Sequence, residues 1–283
     1  MTREISQDPY RNAPSQHASE VEPDTASWGS TVVAAFQVGR IRDGGAANIG
    51  WATSRNGGRT WTHGFLPGLT PSSSPAGTWP RATDPSVAYD AQHGVWLVVS
   101  LTFGGSDSAL LISRSADGIH WGQPVTATHR DTFGLDKQWI ACDDWASSPF
   151  RGHCYLSYDD LVSVEIETQV SIDSGLTWGP PAHAPGFPGR EAINGPAAPG
   201  VQPVARPDGT VLIPYFDNAQ ISVLRSVDGG LTWLPPSPVA KAAYAPRAGH
   251  APDRPYARPD AAARDAPRIR RLAMPNVQIA PST

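Results

Sequence analysis

The chain has 283 residues and a formal net charge of −4, and its 29 Pro and 27 Gly make one residue in five a helix breaker. That load excludes a protein built of long helices. No stretch approaches the roughly 18 apolar residues of a membrane-spanning helix, and the mild acidity leaves no footprint for nucleic acid. The averages hide a break: residues 1–240 carry 14 Lys+Arg against 23 Asp+Glu, whereas residues 241–283 carry 8 against 3, and all ten Trp lie at or before Trp233.

In chain order, Met1–Asp8 has no apolar core and cannot serve as a secretory signal. Residues 1–19 read as an N-terminal extension. Strand starts follow at Glu20-Val21-Glu22-Pro23-Asp24, at Arg81-Ala82-Thr83-Asp84-Pro85-Ser86, at Asp136-Lys137-Gln138-Trp139 and at Gly200-Val201-Gln202-Pro203. Three of the four contain Pro, whose fixed φ suits the first residue of a strand. Short apolar runs at Thr31–Phe36, Val95–Leu101 and Thr210–Tyr215 read as further strands.

Four segments interrupt this pattern with the same turn. They end in Ser54-Arg55-Asn56-Gly57-Gly58-Arg59-Thr60-Trp61, in Ser113–Trp121 with Asp117 and one extra residue, in Ser171-Ile172-Asp173-Ser174-Gly175-Leu176-Thr177-Trp178, and in Ser226-Val227-Asp228-Gly229-Gly230-Leu231-Thr232-Trp233. Their Trp residues (Trp61, Trp121, Trp178 and Trp233) are spaced by 60, 57 and 55. Asp or Asn accepts hydrogen bonds from turn amides, Gly supplies positive φ, and the indole caps the apolar gap between neighbouring sheets. Strand-rich units of this length fit the four-stranded blades of a β-propeller spanning residues 20–240. Charged and amide groups at the strand starts would then converge on one axis as a polar pocket; the other reading is that each caps a strand end in water.

Cys142 and Cys154 either pair as a disulfide or pack reduced as small hydrophobes. A disulfide would imply export, with the true start of the gene lying upstream. Asp143-Asp144 and Asp159-Asp160 read as solvated turn carboxylates, although together they would suit Ca²⁺. His120, His153 and His183 lack zinc spacing, and no motif calls for a cofactor. After Pro238 the rhythm stops. Residues 241–283 read either as a genuine basic, flexible tail or as the product of a frameshift in a GC-rich gene. The Arg-over-Lys bias of the whole chain is consistent with such a gene, and the frameshift, with a gene product shortened at its C-terminus, is the favoured reading.

The S-x-D-x-G-x-T-W turns resemble the Asp-box, or BNR repeat, of the sialidase superfamily. That resemblance implies an all-β, six-bladed propeller, of which about four blades are recognisable here, with the boxes structural and on the outer rim. It implies an exo-glycosidase acting on a glycan or glycoconjugate, with an extracellular or cell-envelope location; a non-catalytic binding propeller is the alternative. In Gly39-Arg40-Ile41-Arg42-Asp43-Gly44-Gly45, Asp43 falls where the family's acid/base Asp is expected; a turn Asp before Gly44-Gly45 is the other reading. The aligned strand starts supply the expected substrate-binding residues Glu22, Asp24, Asp84, Asp136, Lys137 and Gln202, and Arg40, Arg81 and Arg190 are candidate anion ligands that no spacing supports. The family's Arg-Ile-Pro aligns with Val21-Glu22-Pro23. Val21 between two glutamates removes a cation from the carboxylate-binding arginine cluster and favours a binding propeller or a neutral sugar substrate; the family's nucleophilic Tyr and last Arg belong to blades five and six, which have no recognisable counterpart here, and no sialidase activity is expected of this chain.

Overall fold

The computed structural model describes residues 4–163, 165–183, 200–217 and 220–241. The chain divides into two compact units, Met1–Ala243 and Tyr244–Thr283. The second unit lies outside the described residues, as do Arg190 and the remainder of the predicted tail after Lys241.

The first unit is all β among the described residues, arranged as four antiparallel meanders of four strands. The first comprises β1 (Glu20–Trp28), β2 (Thr31–Arg40), β3 (Ala46–Ser54) and β4 (Thr62–Phe65). The second comprises β5 (Arg81–Asp90), β6 (Val95–Gly104), β7 (Asp107–Ser115) and β8 (Val125–Arg130). The third comprises β9 (Leu135–Cys142), β10 (Cys154–Asp160), β11 (Glu165–Ser171) and β12 (Ala182–His183), and the fourth β13 (Val204–Ala205), β14 (Val211–Asp217), β15 (Gln220–Ser226) and β16 (Leu234–Lys241). The predicted strand starts Glu20, Arg81 and Asp136 fall in the first strand of three meanders. The fourth, Gly200–Pro203, immediately precedes the two-residue β13. The first two meanders join as one sheet through the single pairing Ala46↔Ala82.

Apolar side chains fill the gaps between successive meanders. Val33, Trp51, Val87 and Trp96 belong to one buried cluster, Leu97, Ile112, Ile140 and Leu156 to the next, and Tyr155, Ile166, Ile213 and Trp233 to a third. Trp121 and Trp178 pack against the first and second of these, as expected of gap-capping indoles. Residues before β1 are anchored: Ile5 and Tyr10 cover a fourth cluster of Ala34, Phe36, Val38 and Ala52, and the Tyr10 ring packs edge-on against Phe65 at 5.4 Å.

Each predicted turn connects the third and fourth strands of its meander. Ser171 Oγ donates to Asp173 Oδ1 at 2.9 Å and accepts from Gly175 N at 2.8 Å, while Thr177 N and Oγ1 donate to the Asp173 carboxylate at 2.8 and 2.6 Å. Asp228 is bound likewise by Ser226 and Thr232. These bonds outweigh burial and hold both carboxyls below their ordinary pKa. The second turn corrects the sequence alignment. Its anchoring serine is Ser115, not Ser113, because Ser115 Oγ donates to Asp117 at 3.1 Å and accepts from Gly118 N at 2.9 Å. Aligned on Ser115, this turn is one residue shorter than the others, and His120 takes the threonine's place on Asp117 at 2.7 Å.

The turn glycines also set the spacing between meanders. A Cβ on Gly118 would lie 2.9 Å from Val33, one on Gly175 3.2 Å from Ile112, and one on Gly230 2.8 Å from Val170, each neighbour belonging to the preceding meander. Gly230 has φ +87°, so Gly230→Ala is expected to cost about 1–2 kcal/mol from conformation alone. Overpacking against Val170 adds to that loss. Chemical denaturation of the variant measures the sum.

Cys142 and Cys154 are directly opposite in the β9–β10 register and form a disulfide, with Cα atoms 4.0 Å apart. The bond closes the loop Asp143–His153. A Cys142→Ala/Cys154→Ala variant is expected to lose about 2–4 kcal/mol, read as a lower denaturation midpoint; an unchanged midpoint would contradict this.

Candidate functional site

Three first strands share one irregularity. In each, two residues loop out of the ladder, between Val21 and Asp24 in β1, between Thr83 and Ser86 in β5, and between Asp136 and Trp139 in β9. The first looped residue in every case is non-glycine at positive φ: Glu22 at 52°, Asp84 at 44° and Lys137 at 46°. Such bulges re-aim side chains, and three of the five non-glycine positive φ values among the described residues fall at them.

The consequence is a compact polar cluster. The Glu22 carboxyl lies against that of Asp84, and the hydrogen bond between them, with burial, pushes Glu22 up to about 7. Lys137 Nζ pairs with Asp84 Oδ1 at 3.4 Å. Burial alone would lower the Lys137 pKa, but Asp84, Glu22 and Asp136 outweigh it and raise it. Gln37 Nε2 donates to Glu22 Oε2 at 2.5 Å and to Thr83 Oγ1 at 2.9 Å. Thr83 Oγ1 in turn donates to Asp84 Oδ1 at 3.2 Å, and Gln138 Nε2 donates to the Asp84 carbonyl. Across the β9–β10 ladder, Asp159 faces Asp136. Burial, then the Asp136 charge, pushes Asp159 up to about 8, and burial, then Asp84, raises Asp136.

Of the residues expected at the pocket, Glu22, Asp84, Asp136 and Lys137 therefore come together. Arg40 lies close enough for its charge to act on Glu22, with its guanidinium bonded to Gln16 Oε1 at 3.2 Å. Asp24 leaves the set: its Oδ2 accepts Val87 N at 2.7 Å, tying β1 to β5, and burial pushes it up to about 6. Gln202 is exposed beyond Val201. Asp43 is two-thirds exposed and bidentate to Arg81, at 2.8 and 3.2 Å, which holds its pKa below the ordinary value.

The acidic pairs depart from the expected solvated turns. Asp143, Asp159 and Asp160 are buried. Asp143 accepts Ser148 Oγ at 2.5 Å, Asp144 accepts Ala91 N at 2.6 Å, and Asp160 pairs with Arg130 at 3.2 Å. Among the described residues, no three His, Cys, Asp or Glu side chains group as metal ligands. Gln37 and Gln138 are site residues that sequence reasoning missed. Gln138 sits in the Asp136–Trp139 strand start, whereas Gln37 has no local signal at all.

Raised carboxyl pKa values make stability fall as pH rises. Asp24 at about 6, Glu22 and Asp144 at about 7 and Asp159 at about 8 all bind protons more tightly folded than unfolded. Their contribution is full below the unfolded values of about 4 and is lost between there and about pH 8. The melting temperature is expected to be higher at pH 5 than at pH 8; the opposite order would show that these carboxyls are not held protonated.

No family model and no curated protein matches this sequence. Solved structures do resemble it. The intramolecular trans-sialidase from Ruminococcus gnavus is similar at a TM-score of 0.60 and 15% identity, over 83% of this chain and 73% of that one. The NanB sialidase from Streptococcus pneumoniae is similar at 0.55 and 14%, over 84% of this chain and 54% of that one. A protein of unknown function from Dyadobacter fermentans is similar at 0.53 and 15%, over 81% of this chain and 70% of that one. The chain spans about half of the pneumococcal enzyme and about three quarters of the R. gnavus one. Its fold is a sialidase-like β-propeller fold.

Proposed function

We propose that the chain is the substrate-binding portion of an exo-acting glycoside hydrolase, its four meanders being four blades of a six-bladed, Asp-box-bearing ring. The observation that carries this reading is the convergence of Glu22, Asp84, Asp136 and Lys137 from equivalent bulges of three strands. Glycosidic cleavage needs a carboxyl that holds its proton at working pH and a second carboxylate to act on the anomeric carbon or on water. The Glu22–Asp84 pair, which shares a hydrogen bond and holds Glu22 at about 7, meets the first need. Two directly bonded carboxyls act as one acid, so the second role falls to Asp136. Asp43 is ionised by Arg81 and exposed, the opposite of what a general acid requires. The disulfide supports an oxidising, extracellular or cell-envelope setting.

A non-catalytic glycan-binding propeller is the second reading. Val21, flanked by Glu20 and Glu22, favours it over a sialidase because that strand position itself supplies no cation for a sialic acid carboxylate. A panel of fluorogenic glycosides, including a sialoside, separates the two. Turnover of a non-sialoside, abolished in Glu22→Gln and kept in Asp43→Asn, supports the hydrolase. Glycan binding with no turnover of any member supports the binding propeller.

A further inference from the structure

An open cavity of about 330 Å³ lies where the first two meanders meet, and its walls include Trp28, Thr31, Tyr89, Trp96, Arg55 and Asp117. It is remote from the axial cluster. Trp28 is the last residue of β1 and Tyr89 the last but one of β5, so each stands roughly 15–20 Å along its strand from Glu22 or Asp84, at about 3.3 Å per residue.

The three rings form a ladder. Trp96, only 3% exposed, holds Tyr89 at 4.6 Å, and Tyr89 holds Trp28 at 5.3 Å with the planes 32° apart. Trp28 itself is 46% exposed. An indole fixed from behind and open to water in front is a preorganised platform, whose negative ring face attracts C–H groups. Arg55 reaches across from the first turn to the second. Its Nη2 donates to Asp117 Oδ2 at 3.0 Å and to the Asp117 carbonyl at 3.2 Å. Those bonds use one nitrogen of a group with five N–H donors. Burial would raise the Asp117 pKa, but bonds from His120 N at 2.8 Å, His120 Nδ1 at 2.7 Å and Ile119 N at 2.9 Å hold it below its ordinary value. Asp117 therefore stays ionised and balances the charge of Arg55.

These walls select a ligand class. A cation meets the Arg55 charge, and an anion meets a guanidinium that Asp117 already neutralises. A wholly apolar ligand strips water from the other Arg55 donors and bonds none of them. A neutral pyranose supplies a C–H face for Trp28 and neighbouring hydroxyl oxygens for Arg55 and the Thr31 hydroxyl. The volume is at the small end of the ~300–1,000 Å³ of ligand sites, which suits a single sugar ring.

We propose that this cavity is a second, non-catalytic glycan site, which takes one neutral pyranose by stacking on Trp28 and hydrogen bonding to Arg55. It goes beyond the axial site and does not depend on how that cluster works. The whole chain is titrated by NMR with methyl β-glucoside, methyl β-galactoside and methyl α-mannoside, and the Trp28 indole N–H, assigned by its loss in Trp28→Ala, is followed. Methyl β-glucuronide and adenosine serve as the acidic and the flat aromatic comparison. At least one neutral glycoside is expected to shift the Trp28 signal. Trp28→Ala should weaken its binding by about tenfold or more, and Arg55→Met by about tenfold, with melting temperatures confirming that both variants fold. No shift with any neutral glycoside, binding undiminished in either variant, or tighter binding of the glucuronide or of adenosine overturns the proposal. Turnover at the axial cluster neither rescues this inference nor falls with it.

Discussion

Arg130→Met is expected to destabilise the fold by about 3 kcal/mol. Arg130, at the end of β8, reaches across to the third meander. Its Nε pairs with Asp160 at 3.2 Å and its Nη2 with Glu167 at 2.7 Å, and those side chains are only 7% and 4% exposed. Removing one partner of a buried pair costs about 3–5 kcal/mol, because the remaining charge stays desolvated. The guanidinium is 28% exposed, which places the estimate at the low end of that range. The double variant Arg130→Met/Glu167→Gln should recover part of the loss, since it neutralises one stranded charge. Arg130→Lys should recover less than the native side chain supplies, because an ammonium does not span two carboxylates as a planar fork does. Urea denaturation of the set measures each step, and a loss below about 1 kcal/mol for Arg130→Met would place the pair with weak surface bridges.

Glu22→Gln is expected to lower kcat by about 10²–10⁴-fold on any glycoside the chain turns over, the usual contribution of a positioned general acid. The amide keeps the shape and the bond from Gln37 but cannot deliver a proton. In the native chain the acid must be protonated, so the rate should fall as pH rises through about 7, the value at which Glu22 is held. That alkaline limb should vanish in the variant. Asp43→Asn, which breaks an exposed ion pair, should leave kcat within about threefold, since exposed pairs contribute little. If Asp43→Asn abolishes turnover while Glu22→Gln retains it, the proton donor belongs to the Arg40–Gly45 loop as the sialidase resemblance implies.

The repeat turns were legible because their chemistry is local. Ser171, Asp173, Gly175 and Thr177 satisfy one another within a few residues, so their identity and order carry the whole motif. The second turn was misaligned for a related reason. Ser113 and Ser115 both precede Asp117, and only the hydrogen bond from Ser115 Oγ distinguishes them. Strand starts were legible through Pro and through the apolar runs that follow them. Aligning those starts groups Glu22, Asp84, Asp136 and Lys137, but equally Asp24 and Gln202, which the structure leaves out of the cluster.

The sequence by itself determined an all-β chain of repeated units, the turns that end them and the polar strand starts. Those properties arise from hydrogen bonds and alternation between near neighbours. Only the tertiary structure decided that Asp24 turns to the Val87 amide while Glu22, two residues earlier, meets Asp84. It also decided that Asp43 is neutralised by Arg81, and that Asp159 is buried in the cluster rather than solvated in a turn. Each outcome depends on where a bulge shifts the register and on which side chain stands opposite in another strand. A pairing such as that of Glu22 with Asp84 is fixed by the packing of whole meanders, which no local pattern encodes.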